Sequence, residues 1–169
     1  MPADAPVEIR TMRAEDLGRV VEILGCWGMA PVEASPERPD PERSGLAVGR
    51  TLVASVRGRI IGVASYVIES PRFAVTESLA VDPAWLGRGI GERLHRARLD
   101  ILLAQGIEKV RSEADRPQTI AWYVKHFGCR VVGTIPKKHA FGLEGVKEWT
   151  LLELDLDPGA SRAPSTTQR

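Results

Sequence analysis

The sequence predicts a single α/β domain built on a mixed sheet. Two observations predict it. Apolar, β-branched runs alternate along the chain with segments whose apolar residues recur every three or four positions. The chain has 169 residues, of which 43% are hydrophobic and 27% charged, which is typical of one globular domain and not of a disordered chain.

The first half of the chain combines four strand-like segments with one helical segment. A helix is predicted over 14–24, where Leu17, Val20, Val21 and Leu24 share a face and Gly25 ends the pattern. The segment 27–49 contains four prolines and is predicted to be a long irregular loop, which inside a compact domain is usually functional or mobile. Strands are predicted over 7–13, 50–56, 59–68 and 73–81, the middle two joined as a hairpin.

The second half of the chain predicts two helices. One runs from Gly89 to Gly106, with an apolar face at Ile90, Leu94, Ala97, Ile101 and Ala104. The next begins at Pro117 and ends at Gly128, with Ile120, Val124 and Phe127 on one face. Strands are predicted over 107–112, 130–135 and 148–156. Residues 1–6 and 158–169 have no periodicity and are predicted to be tails around one domain, 7–157.

Composition excludes several classes of protein. The net charge is +1, which favours neither nucleic acid nor an anionic membrane as partner. The first residues have neither the basic nor the apolar segment of a signal peptide, and no apolar run is long enough to span a membrane. Cys26 and Cys129 are too few for a metal cluster and are predicted to be buried thiols. We therefore expect a soluble cytoplasmic protein without a metal.

A glycine-rich segment follows the fourth predicted strand. Glycines occupy positions 87, 89 and 91, after the strand ends at Asp82-Pro83 and as a long amphipathic helix begins. Such a turn directs backbone N–H groups and the positive helix end at one place, which favours a phosphate or pyrophosphate. The dinucleotide fingerprint is excluded because position 92 is Glu, and the triphosphatase loop because no Gly-Lys-Ser/Thr occurs. A glycine-rich turn without a ligand is the alternative.

This segment resembles the cofactor motif Gln/Arg-x-x-Gly-x-Gly/Ala of the GNAT superfamily of acyl-CoA-dependent N-acyltransferases. Here it is Leu86-Gly87-Arg88-Gly89-Ile90-Gly91, after a strand ending Leu79-Ala80-Val81. The order of elements over residues 7–156 is also similar. The resemblance implies a mixed, mostly antiparallel central sheet flanked by helices, with acetyl-CoA as co-substrate. It also implies acetyl transfer to a primary amine by direct attack in a ternary complex.

The resemblance also implies roles for individual residues. The backbone N–H of Leu79 would face the thioester oxygen, and Val81 would bond the pantetheine amides. The turn from Gly87 to Gly91 would hold the pyrophosphate, although Leu86 replaces the usual Gln or Arg. The implied cofactor-binding residues are Leu79, Ala80, Val81, Leu86, Gly87, Arg88, Gly89, Ile90, Gly91, Arg116 and Tyr123.

Tyr123 is the candidate general acid. The segment 116–123 resembles the family pattern Asn-x-x-Ala-x-x-aromatic-Tyr, in which the tyrosine protonates the leaving thiolate. Arg116 and Thr119 depart from the Asn and Ala of that pattern, which affects cofactor contacts from this turn and not the tyrosine. The alternative is that Tyr123 only packs in the core.

Glu77 is the candidate general base, because a protonated amine must lose a proton before it can attack. It precedes Leu79 by two positions, so on a regular strand both side chains project from the same face. A bulge in that strand would remove this argument. An exposed or ion-paired Glu77 and a base made of a water chain are the alternatives.

Three histidine-containing features complete the candidates. His95 is predicted on the solvated side of its helix among Arg93, Arg96 and Arg98, and His126 is predicted to complement a helix end. The segment Pro136-Lys137-Lys138-His139 is either a solvated loop or the border of a site for a carboxylate- or phosphate-bearing acceptor. The 27–49 loop could form the opposite wall.

Two function hypotheses follow. The first is an acetyl-CoA-dependent N-acetyltransferase, with a small-molecule amine preferred over a protein amine and a homodimer possible. The second is a non-catalytic acyl-CoA-binding or regulatory module on the same fold, since a fold alone does not secure an activity.

Overall fold

The computed structural model describes residues 5–30, 46, 48–137 and 142–157. Within these residues the chain forms one sheet and three α-helices. The strands are β1 (Val7–Thr11), β2 (Thr51–Val56), β3 (Arg59–Ser70), β4 (Phe73–Val81), β5 (Lys109–Ala114), β6 (Arg130–Pro136) and β7 (Glu148–Asp155). The helices are α1 (Leu17–Gly25), α2 (Ile90–Ala104) and α3 (Pro117–Phe127). Residues 1–4 and 158–169 of the predicted tails lie outside the described residues.

The sheet has the order β1-β2-β3-β4-β5-β7-β6. Strands β4 and β5 pair in parallel, and each other pair of neighbours in the described sheet is antiparallel. A parallel pair needs a crossover, which α2 supplies between β4 and β5. The predicted mixed, mostly antiparallel sheet flanked by helices is confirmed.

The sheet lies between α1 on one face and α2 on the other. Val53 and Val63 pack in the cluster that buries Val20 and Leu24 of α1. Their neighbours along the strands, among them Ala54, pack in the cluster that contains Ile90 and Leu94 of α2. This alternation follows from the period of two along a strand and gives the sheet two apolar faces.

The predicted element bounds agree closely with the structure, whereas the predicted helix faces agree only in part: Val20, Leu24, Ile90 and Leu94 are buried as predicted, and others are not. Leu17 of α1 is 46% exposed, and Val124 of α3 is 43% exposed while Tyr123 is buried. On α2 the buried positions are Ile90, Leu94, His95, Arg98 and Leu102, so that the polar residues His95 and Arg98 replace the predicted Ala97 and Ile101 on the fully buried face. Local periodicity locates a helix, but the packing of its neighbours decides which side is covered.

Other expectations concern residues away from the sheet. No helix in the described ranges is long and apolar enough to cross a membrane. The same ranges contain no group of three or more His, Cys, Asp or Glu that could hold a metal ion. The prediction that both cysteines are buried is wrong for Cys26, which is exposed. Cys129 is buried, and burial raises the pKa of its thiol to about 11.

Candidate active site

The sheet opens where β4 and β5 stop pairing. Their parallel ladder extends from Phe73 and Lys109 to Thr76 and Ser112, whose hydroxyl oxygens lie 2.5 Å apart. Beyond this point β4 continues against β3, and β5 continues against β7. The two strands therefore diverge, and from residue 77 onward no strand in the described part of the chain pairs with this edge of β4, which we call the uncovered edge.

A cavity of about 860 Å³ occupies this opening. It extends from the glycine turn and the first turn of α2, along β4, to α3 and Trp149 of β7. Arg88 is not among the lining residues, and its guanidinium lies 4.6 Å from the centroid of the Trp85 ring. The other predicted site residues line the cavity together: Glu77, Leu79, Ala80, Val81, Leu86, Gly87, Gly89, Ile90, Gly91, Arg116 and Tyr123.

The uncovered edge of β4 directs backbone groups into the cavity. The amide N–H of Asp82 donates to the carbonyl of Ile61 on β3 at 2.8 Å. Because successive residues of a strand direct their backbone groups to opposite edges, those of Leu79 and Val81 are directed away from β3. The indole Nε1–H of Trp27, which donates to the Val81 carbonyl at 2.8 Å, lies on this side.

The glycine turn joins β4 to α2 with backbone conformations that favour glycine. Gly87 and Gly89 have φ of 75° and 74°, in the left-handed region, while a Cβ at either would meet nothing within 4 Å. Their backbone conformation and not a lack of space therefore favours glycine here. The first N–H groups of α2 have no partner within the helix and carry the positive end of its dipole, so this wall of the cavity suits an anion. The Leu86 side chain is 52% exposed and adds no charge.

Strand β4 is bulged next to Glu77. Ala64 pairs with Leu79 and Tyr66 with Thr76, so Glu77 and Ser78 together oppose the single residue Ser65. The Ser78 amide donates to the Ser65 hydroxyl at 3.1 Å. The argument for a shared face assumed a regular strand, and the bulge shows that β4 is not regular here. Glu77 and Leu79 nevertheless both line the cavity, and Ser78 does not.

Tyr123 lies between the cavity and a buried polar cluster. Its side chain lines the cavity, and its hydroxyl accepts a bond of 3.1 Å from Nη2 of Arg98. The Arg98 Nε donates to Nδ1 of His95 at 2.8 Å. The prediction that His95 is solvated is wrong, because it is 1% exposed and its ring lies 4.3 Å from that of Phe127. Burial, followed by the nearby Arg98 charge, holds the pKa of His95 well below its usual range.

Trp27 was not a candidate from the sequence, where it is the first residue of an irregular loop. In the structure it lines the cavity and bonds the edge of β4, and the Arg116 guanidinium lies 5.5 Å from its ring centroid. Met29 also lines the cavity, whereas residues 31–45 and 47, most of the predicted wall, lie outside the described residues. An aromatic residue two positions after the helix-ending Gly25 was the available signal.

The far side of the cavity carries several carboxylates. Glu69, Glu77, Glu113 and Asp115 line it together with Arg111, which lies 3.4 Å from Glu113. Neither prediction for the 136–139 segment describes Lys137: its Nζ is paired with Asp115 at 2.6 Å, and the ion pair is nearly buried. Lys138 and His139 lie outside the described residues. His126 is exposed at the end of α3 and also lines the cavity.

Comparisons with known proteins agree with this architecture. The chain is 32% identical over 114 residues to glucosamine 6-phosphate N-acetyltransferase of Trypanosoma brucei brucei, covering 62% of this chain and 77% of the relative. The Escherichia coli ribosomal-protein-S18-alanine N-acetyltransferase superposes with a TM-score of 0.69 at 18% identity, over 89% of this chain and 94% of that one. Arabidopsis thaliana Naa50, solved with the bisubstrate analogue CoA-Ac-MVNAL, gives a TM-score of 0.68 at 18% identity, over 89% and 99%.

A sequence profile of the Acetyltransferase (GNAT) family matches residues 17–129 of this chain. That span includes β4, the glycine turn, α2, β5 and α3, all of which contribute residues to the cavity that Tyr123 lines. The profile and the identity with a curated N-acetyltransferase agree with the resemblance drawn from the glycine motif. The chain is therefore an enzyme of the acyltransferase class and belongs to the GNAT family of acetyltransferases.

Proposed function

We propose that this enzyme transfers the acetyl group of acetyl-CoA to a primary amine by direct attack in a ternary complex. The observation that carries the proposal is one continuous cavity. The cavity joins the N-terminus of α2, which suits an anion, the uncovered edge of β4, Tyr123 and a wall rich in carboxylates. Each of these features corresponds to one requirement of acetyl transfer.

In the proposed complex, the chemical groups of acetyl-CoA are matched to the groups that line the cavity. The pyrophosphate would lie at the turn from Gly87 to Gly91, against the first N–H groups of α2. The pantetheine arm would extend along β4, where the backbone groups of Leu79 and Val81 face the cavity. The Val81 carbonyl already accepts the Trp27 indole, so the amide N–H of Val81 is the group we assign to pantetheine. Ala80 and Ile90 would pack beneath the arm, and Leu86 and Arg116 would border it, whereas Arg88 lies outside the cavity lining.

The chemical step needs a base that takes protons from the nitrogen and an acid that protonates the sulfur. The amine nitrogen attacks the thioester carbonyl carbon, after its ammonium form has lost a proton to Glu77 or to water bonded to Glu77. The resulting oxyanion is stabilised by the Leu79 N–H, a kind of contact that contributes about 3–4 kcal/mol in other enzymes. The C–S bond then breaks, the sulfur takes the phenolic proton of Tyr123, and the second proton of the attacking nitrogen returns to the Tyr123 phenolate as the amide forms. The products are the N-acetyl amine and CoA with a free thiol.

The acceptor is proposed to be a small cationic amine. The wall beyond Glu77 has the carboxylates of Glu69, Glu113 and Asp115, and its cation Arg111 is already paired with Glu113. Lys137 is paired with Asp115 and so does not supply the anion site considered from the sequence. A carboxylate-rich wall attracts an amine that carries a second positive charge.

A phosphorylated amino sugar is the second candidate acceptor. It is favoured by the 32% identity to glucosamine 6-phosphate N-acetyltransferase and by two guanidinium groups, Arg111 and Arg116, that line the cavity. The two candidates differ in the charge that the distal end of the acceptor must carry.

The test measures release of free thiol from acetyl-CoA with diamines, glucosamine, glucosamine 6-phosphate, amino acids and peptides as acceptors. Preference for diamines supports the cationic acceptor, and preference for the phosphorylated sugar over glucosamine supports the second candidate. Tyr123→Phe should lower kcat by at least tenfold while CoA binding by calorimetry stays unchanged. Binding of CoA without turnover of any acceptor would contradict the proposal and favour a non-catalytic module.

A further inference from the structure

Arg98 is a buried guanidinium with no carboxylate beside it. Its exposure is 0%, and no acidic side chain in the described part of the chain lies within ion-pair distance of it. An arginine in such a place normally pairs with an acid, because removing an uncompensated charge from water is costly. Burial lowers the pKa of Arg98, but an arginine starts so high that the group stays charged. The free-energy cost of burying this charge suggests that Arg98 has a function that offsets it.

The guanidinium is held by four neutral acceptors. Nη1 donates to the carbonyl of Ser78, in the β4 bulge, at 3.2 Å and to the carbonyl of Ser65, which opposes the bulge on β3, at 2.9 Å. Nε donates to Nδ1 of His95 at 2.8 Å. These three bonds fix the plane of the guanidinium. The fourth bond is donated by Nη2 to the hydroxyl of Tyr123, a residue that lines the cavity, at 3.1 Å.

That fourth bond determines what the Tyr123 hydroxyl can do. A guanidinium only donates, so the phenol oxygen must be the acceptor in this bond. The phenolic proton is then left for another partner, and no second bond to this hydroxyl is made within the described residues. Since Tyr123 lines the cavity, a group bound there can take the proton. A phenolate left behind would face the positive charge of Arg98 directly.

We infer that Arg98 is a positioning residue for acetyl transfer: it orients the Tyr123 hydroxyl as a proton donor into the cavity and stabilises the phenolate formed when the proton leaves. This inference rests on the proposed function, in which Tyr123 protonates the CoA sulfur. It goes beyond it by assigning a role to a helix residue that does not line the cavity.

The kinetic test is a double-mutant cycle between Arg98→Lys and Tyr123→Phe, using the best acceptor from the panel. We expect Arg98→Lys, which keeps the charge but loses the fork of donors, to lower kcat about tenfold with KM for acetyl-CoA within about twofold. In the Tyr123→Phe background the same substitution should have no further effect on kcat. Equal losses in both backgrounds would show a purely structural role and overturn the inference.

A second test needs no acceptor. The chain has two tyrosines, so in a Tyr66→Phe protein the ultraviolet absorbance of phenolate reports ionisation of Tyr123 alone. Replacing Arg98 with Met should move that ionisation to higher pH by about one unit or more. Among the described residues, the titratable and charged groups packed around Tyr123 are Arg98, His95 and Cys129, and those that share the cavity with it are His126, Glu69, Glu77, Glu92, Arg111, Glu113, Asp115 and Arg116.

The matched control is Arg96→Met, which removes an exposed arginine of the same helix that pairs with Glu92. It should leave the ionisation of Tyr123 and kcat unchanged. If Arg98→Met does not fold, Arg98→Lys gives the same comparison with a smaller shift. An unchanged ionisation in a folded Arg98 variant would overturn the inference. A Tyr123→Phe enzyme with undiminished kcat would instead overturn the proposed acid role.

Discussion

Replacing His95 tests whether the buried cluster makes stability depend on pH. His95 is buried against three aromatic rings and accepts the Nε–H of Arg98 at its Nδ1, so its neutral form is required in the folded state. The substitution His95→Gln supplies an amide oxygen that can accept the same bond in place of Nδ1, and it removes the titrating group. The prediction concerns the difference between the two proteins in the pH dependence of unfolding.

The sign and size of the effect follow from linkage. The folded pKa of His95 is well below 6.5, and the unfolded value is about 6.5. Above about pH 6.5 His95 is neutral in both the folded and the unfolded state, so it adds no pH dependence to the free energy of unfolding. Below it the unfolded state binds a proton that the folded state does not, so stability falls by about 1.4 kcal/mol per pH unit until the folded pKa is reached. Arg96 and Arg98 stay charged throughout.

The assay is urea unfolding of both proteins at about pH 7.5 and about pH 5.5. The wild-type protein should lose about 1.4 kcal/mol more than His95→Gln between these conditions. Carboxylates common to both proteins cancel in the difference. A His126→Gln control, at an exposed position of α3, should behave as the wild type does. Equal pH dependence of wild type and His95→Gln would refute the reasoning.

Three other predictions concern the glycine turn, the thiols and the buried ion pair. Gly89→Ala should lower the free energy of unfolding by about 1 kcal/mol, since φ of 74° strains a residue with a Cβ, and urea unfolding measures this. Cys26, being exposed, should be alkylated near neutral pH, whereas Cys129, with a thiol pKa of about 11, should react only on unfolding; mass spectrometry counts the adducts. Lys137→Met should cost about 3 kcal/mol of stability by leaving the Asp115 carboxylate without its partner, as thermal unfolding would show.

Each of these predictions has its own control. A Gly89→Ala protein as stable as the wild type would mean that the turn relaxes out of its left-handed conformation. Two adducts on the folded protein would contradict the burial of Cys129. For the ion pair, the double variant Lys137→Met/Asp115→Asn should lose less stability than the two single variants together, and strict additivity would contradict a coupled pair.

Local signals predicted the elements and the glycine turn that forms one wall of the cavity. The strand over 73–81 and the helix that begins after Gly89 have the bounds that the sequence indicated. These signals work because a glycine with left-handed φ, a proline at a first helical position and a β-branched run each act within a few residues. The resemblance at 86–91 added the family, which the profile match confirms.

The errors have a common physical origin. His95 and Arg98 are polar, so hydrophobic periodicity placed them on the solvated side of α2, yet they are buried there with Tyr123 and the β4 bulge. Lys137 was interpreted as a loop charge, and its partner Asp115 lies 22 positions earlier in the chain. Polar burial depends on finding partners, and those partners come from distant segments.

The amino-acid sequence by itself determined the alternation of helices and strands, the glycine turn at the end of β4 and the resemblance to an acetyltransferase family. Only the tertiary structure decided that β4 and β5 diverge after Thr76, that Trp27 bonds the uncovered edge, and that the buried Arg98 donates to the Tyr123 hydroxyl. Local conformation is set by neighbouring residues, whereas a cavity and a buried charge exist only where segments far apart in the chain meet.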